Sequence, residues 1–223
     1  MVRDNPGENS VDIYTTEEQQ VEALKKWWAA NGTSVVAGIV IGLAAIFGWR
    51  YWQDAQMAAK DQASGLYEQL HKLSEQDTVP DSFWSIGEQL ENDYAGTGYH
   101  HLALLLMASE SIRQGKLDQA AAQLKTVADN GVTEELKAVS RVRLARIYIE
   151  QEKYDEALGL VKGQVGEQFV ALYAETEGDA YRLKGELALA KDAYQRAYDI
   201  EGEQNRWLKM KLDDVSSNQV SES

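Results

Sequence analysis

An all-α fold is what this sequence predicts, with one membrane-spanning helix near the N-terminus and an array of paired helices behind it. Three observations carry that reading. The 223 residues contain only 2 prolines, so long uninterrupted helices are permitted almost anywhere. The interval 34–49 holds no charged residue, although the chain as a whole has a formal net charge of -14 and a mean hydropathy of -0.45. From Tyr99 onward, small and large residues return at a nearly constant period.

The first element is an acidic tail, residues 1–26, with Arg3, Lys25 and Lys26 as its only basic groups. Residues 27–52 then read as a transmembrane helix. Trp27 and Trp28 precede the apolar run, and Trp49, Tyr51 and Trp52 follow it. At 1.5 Å per residue, Trp28 to Trp49 covers roughly 32 Å, which matches a hydrocarbon core bounded by two aromatic belts. A cleaved signal peptide is disfavoured, because the preceding tail is acidic and no A-x-A site follows the run. Lys25 and Lys26 on one side against Arg50 and Lys60 on the other bias the N-terminus only slightly towards the cytoplasm. Within the span Ser34, Gly38 and Gly42 share one face in a small-xxx-small pattern, a candidate contact for another membrane helix.

Residues 53–214 form the expected repeat domain. Ala55, Ala59, Ala63, Leu66, Leu70 and Leu73 recur at helical spacing, and no breaker separates this stretch from the span. A loop over 74–80, a helix start at Asp81 and a break at Gly96-Thr97-Gly98 follow. Three segments then superpose on the tetratricopeptide (TPR) pattern. They are Leu104/Met107/Ala108/Ser111 with Ala120/Leu124, Arg141/Leu144/Ala145/Tyr148 with Ala157/Val161, and Ala174/Glu177/Gly178/Tyr181 with Ala190/Tyr194. The small residue of each first helix precedes that of its second helix by 12 positions every time. Ala108, Ala145 and Gly178 are 37 and 33 residues apart, so the first inter-repeat loop is expected to be lengthened around Asn130-Gly131. About three degenerate repeats result, followed by a capping helix over 203–214 and a flexible tail over 215–223.

In such an array the first helices line a concave surface. The candidate partner groove is therefore Leu102, Leu105, Ser109 and Ile112, then Val139, Val142, Arg146 and Ile149, then Leu172, Glu175, Asp179 and Arg182. Most of the first eight are apolar, so either the 55–73 helix or a partner's hydrophobic segment must cover them.

Catalytic and metal patterns are missing. With 0 cysteines, disulfides and thiolate chemistry are excluded. No HExxH, G-x-S-x-G, Walker or G-x-G-x-x-G pattern occurs, and adjacent His100 and His101 point about 100° apart on a helix. Asn31-Gly32-Thr33 is a glycosylation acceptor only formally, lying at the membrane edge. The negative charge argues against nucleic acid as a partner. These features favour a binding protein without cofactors over an enzyme. A homo-oligomerising structural membrane scaffold is the alternative.

Thr16-Glu17-Glu18-Gln19-Gln20-Val21-Glu22-Ala23-Leu24-Lys25-Lys26-Trp27-Trp28, the Asn31-Gly32 step and the span ending Gly48-Trp49-Arg50-Tyr51-Trp52 resemble the bacterial YfgM family, ancillary subunits of the SecYEG translocon. The resemblance continues through the degenerate repeats. It implies a single-span inner-membrane protein with a cytoplasmic N-terminus and a periplasmic TPR-like domain. It further implies association with SecYEG and with a PpiD-like periplasmic chaperone, contact with translocating polypeptides, and a part in passing those chains to periplasmic chaperones. It implies no catalytic residues.

Overall fold

A computed structural model describes residues 17–221, which fall into two units divided between Met57 and Ala58. Most of the acidic tail therefore lies outside the described residues. All regular structure among the described residues is helical. The elements are α1 (Glu17–Ser74), α2 (Asp81–Asp93), α3 (Tyr99–Arg113), α4 (Leu117–Asn130), α5 (Glu134–Glu150), α6 (Tyr154–Val161), α7 (Val170–Lys184), α8 (Leu187–Glu201) and α9 (Arg206–Ser221), with short 3-10 turns at Glu167–Phe169 and Gly202–Gln204.

The first unit consists of the leading part of α1, a helix long and apolar enough to cross a membrane. Its large apolar side chains point outward, Ile41 and Phe47 being 69% and 64% exposed. Water would penalise such a surface and lipid would not. The aromatic belts are ordered by the helix itself. Trp27 and Trp28 lie 6.5 Å apart between ring centroids, and Trp49 and Trp52 lie 5.1 Å apart. Asn31 donates its side-chain amide to the Trp27 carbonyl at 3.0 Å. A Cβ on Gly32 would stand 3.2 Å from the Trp28 indole, so glycine lets that ring lie flat along the helix.

The second unit contains one helical pair more than the three repeats read from the sequence. The last turns of α1 and all of α2 bring Ala63, Leu70, Phe83 and Leu90 together with Ala103 and Met107 of α3. Gly87 permits this approach, since a Cβ there would fall 2.3 Å from the Met107 sulfur. Of the 55–73 segment, the stretch from Ala63 to Leu73 packs beside Tyr99, Ala103, Leu106 and Met107, in a cluster that includes neither Leu102 nor Leu105.

The expected repeats are α3/α4, α5/α6 and α7/α8, with α9 as cap. Their small residues Ala108, Ala120, Ala145, Ala157 and Ala190 are all buried where paired helices cross. In the third repeat a Cβ on Gly178 would meet the ring carbons of fully buried Tyr194 at 2.5 Å. Each hairpin turns through one left-handed residue at the same repeat position. These are Gly115, Glu152 and Gly185, with φ of 73°, 60° and 87°. The following amide donates back to the first helix each time, Lys116 to Ser111 at 2.8 Å, Lys153 to Tyr148 at 2.8 Å and Glu186 to Tyr181 at 2.9 Å.

Two expectations are corrected. The connection at Asn130-Gly131 is not long, because α4 runs to Asn130 and α5 restarts at Glu134. Its N-terminus is closed by the Thr133 hydroxyl, which accepts from the Leu136 amide at 3.1 Å. The long connection lies instead after α6, over residues 162–169. Nor does a flexible tail begin at residue 215. α9 continues to Ser221, and Val215 and Leu208 are fully buried against the last repeat. Only residues 222–223 of that tail lie outside the described residues.

Candidate partner-binding surfaces

Ser34, Gly38 and Gly42 lie exposed on one face of α1, and a Cβ on either glycine would meet nothing within 4 Å. A shallow furrow runs along the neighbouring face, beneath Trp28, over Gly32, Thr33, Val36 and Ala37. A partner helix could approach the backbone closely at Gly38 and Gly42, whereas Gly32 is covered by the Trp28 ring.

The twelve groove residues of the repeat domain do not share one surface. Val142 and Ile149 are buried among Ala138, Ala145, Ala157 and Tyr173, so they belong to the core and no partner can reach them. Leu102, Leu105, Val139 and Leu172 are half-buried, Leu105 against the α3–α5 core and Leu172 against the α5–α9 core.

At the C-terminal end, Glu175 and Asp179 are already occupied. Lys211 of α9 donates to Glu175 at 2.8 Å and to both Asp179 oxygens at 2.7 and 2.8 Å, and its ammonium stands 5.7 Å from the Tyr194 ring centroid. The Tyr194 hydroxyl also donates to Asp179 at 2.7 Å. Burial and the Asp179 charge push the phenol's pKa well up, so the hydroxyl stays a donor. Arg182 is half-buried beside this cluster. These carboxylates seat the cap instead of offering a binding surface, a correction that follows from Lys211 of the capping helix reaching across to α7.

Ser109 lines a depression with Leu106, Glu110, Arg113 and residues 74–77. Arg113 donates to Glu110 and to the Asp77 carbonyl, tying the α1–α2 connection to α3. Burial would raise the Glu110 pKa, but hydrogen bonds from Arg113 and Gln114 and the charges of Arg113 and Lys116 outweigh it, holding the carboxyl below the ordinary range.

What the structure does bring together is Ile112 and Arg146. They line one pocket of about 520 Å³ with Gly115, Leu117, Arg143, Ile147 and Glu150. Sequence reasoning missed the last five. Their signal was present as Arg143, Arg146, Ile147 and Glu150 at i, i+3, i+4 and i+7, but it became legible only once the α3–α4 turn closed the other side. Among the described residues no group of three or more histidines, aspartates or glutamates could hold a metal ion.

Fold and surfaces together define a TPR-like helical repeat protein carrying one helix long and apolar enough to cross a membrane. A family model described as a tetratricopeptide repeat-like domain matches residues 25–217, which takes in the apolar stretch of α1 as well as the repeats. Proteins named "Ancillary SecYEG translocon subunit" match from Escherichia coli K12 (32% identical over 92% of this chain and 100% of the relative) and Haemophilus influenzae Rd (30% over 89% and 97%). One of the same name from Aggregatibacter actinomycetemcomitans is 30% identical over 83% of this chain and 90% of its own length. The chain belongs to this family, the YfgM family of ancillary SecYEG translocon subunits.

Proposed function

We propose that this chain is a non-enzymatic interaction protein anchored in the bacterial inner membrane, associated with the SecYEG translocon, whose repeat domain binds partner proteins. The carrying observation is that the match to relatives named as translocon subunits spans the apolar helix and the repeats together. In this reading residues 27–52 span the bilayer, the N-terminus is cytoplasmic and the repeat domain is periplasmic. Ser34, Gly38 and Gly42 provide a face for another span, and the open part of the array engages a PpiD-like chaperone or the translocating polypeptide, so that emerging chains pass to periplasmic chaperones. The absence of cysteine is compatible with that compartment, because stacked helical pairs supply the core without disulfides.

Affinity isolation of the detergent-solubilised full chain, with identification of co-purifying proteins, tests the proposal. SecYEG subunits should be enriched over an unrelated single-span control. Equal recovery from both would refute the association. Photocrosslinking from Leu105 and Ile112 in membranes tests the role of the repeats, and contacts confined to the chain itself would remove it.

A further inference from the structure

Along α5, Arg143, Arg146 and Glu150 are exposed, and buried Ile147 lies beneath them at the wall of the pocket. Opposite it stand Ile112, 44% exposed at the end of α3, and Leu117 at the start of α4. The pocket between them has an apolar floor and a cationic rim.

Two arginines stand together on that rim. Arg113 is committed to Glu110, and Arg196 to Glu177 and Asp192. Arg143 and Arg146 make no ion pair within the described residues, although the chain carries a net charge of -14. Two like charges one helical turn apart repel each other, and an anionic ligand relieves that repulsion. A guanidinium fork pairs a carboxylate through two parallel hydrogen bonds, which favours carboxylate ligands over diffuse charge.

We propose that this pocket receives an acidic peptide segment of a partner protein, anchored by one hydrophobic side chain. The anchor rests on Ile112, Leu117 and Ile147, and the flanking carboxylates sit on Arg143 and Arg146. Glu150, two turns from Arg143, repels a uniformly acidic segment and so sets the direction in which the peptide lies. This rests on the partner-binding role above and adds the chemistry of what is bound.

The test uses the full chain in detergent and a short fluorescent peptide with one phenylalanine flanked by glutamates, compared with versions carrying glutamine for glutamate or alanine for phenylalanine. The acidic apolar peptide should bind about tenfold or more tightly than either. The double variant R143E/R146E should lose about that factor, R143K/R146K should retain part of it, and Ile112→Ser should weaken the apolar contribution. Unchanged circular dichroism would show that these exposed substitutions leave the fold intact.

Equal affinity for the glutamate and glutamine peptides, or no change in R143E/R146E, would overturn the inference. So would photocrosslinks from position 112 in membranes that join only a second copy of this chain. If SecYEG fails to co-isolate while the acidic peptide still binds, the translocon role falls and the pocket stands. If SecYEG co-isolates and the peptides bind alike, the pocket falls alone.

Discussion

Two helical glycines of the second unit should respond to the same substitution with opposite signs. Gly159 of α6 is exposed, and a Cβ there meets nothing within 4 Å. Replacing it with alanine removes backbone freedom from the unfolded chain and should stabilise by about 0.5–1 kcal/mol. Gly178 of α7 gains the same propensity but meets Tyr194 ring carbons at 2.5 Å. That ring is fully buried, and its hydroxyl is held on Asp179 at 2.7 Å, so it has little room to yield. Overpacking of this kind costs roughly 2–3 kcal/mol, leaving Gly178→Ala destabilised by about 1–2 kcal/mol after the propensity gain. At about 2–4 °C per kcal/mol for a chain of this size, Gly178→Ala should melt roughly 2–8 °C lower and Gly159→Ala about 1–4 °C higher. Far-UV circular dichroism of the full chain in detergent reads both. If Gly178→Ala melts as high as Gly159→Ala, the ring gives way and the close crossing of α7 and α8 is not what requires glycine there.

The turns, the cap and the buried titratable groups respond to substitution as well. Glu152 is the non-glycine among the three left-handed turn residues, so Glu152→Gly should stabilise by about 0.5–1 kcal/mol, read as a rise in melting temperature. Lys211→Met removes the cation shared by Glu175 and Asp179 and should destabilise the chain by about 1–3 kcal/mol, with α9 losing amide-exchange protection first. His101 is buried, and burial followed by the His100 charge holds its pKa below the ordinary 6.5. The fold therefore favours the neutral ring, and its contribution is present above pH 6.5 and lost as pH falls below it. Glu110, depressed from 4.5, contributes stability above that pH that is lost on further acidification through its folded pKa. Urea titrations across pH should show His101→Phe flattening the upper limb and Glu110→Gln flattening the lower one.

Most of the fold was legible from residue 99 onward, because a stacked array repeats one local solution. A small residue must stand wherever two helices cross closely, so Ala108, Ala145 and Gly178 mark the period directly. The extra pair formed by α1 and α2 escaped notice because it joins the array through Gly87 of α2 against Met107 of α3, outside the repeat spacing. α9 was drawn short because Val215 stands alone among polar residues, and only the last repeat supplies the wall that buries it. The candidate surface was half legible. Helical position determines which way a side chain faces, but not whether the neighbouring pair covers it, as it does at Val142 and Ile149, or whether a cap reaches across, as Lys211 does to Glu175 and Asp179. The sequence by itself determined the apolar helix, the repeat period and the absence of cysteine chemistry, since these depend on local composition and spacing. Only the tertiary structure decided which faces stay open, because exposure is a property of how successive pairs stack and no single pair encodes it.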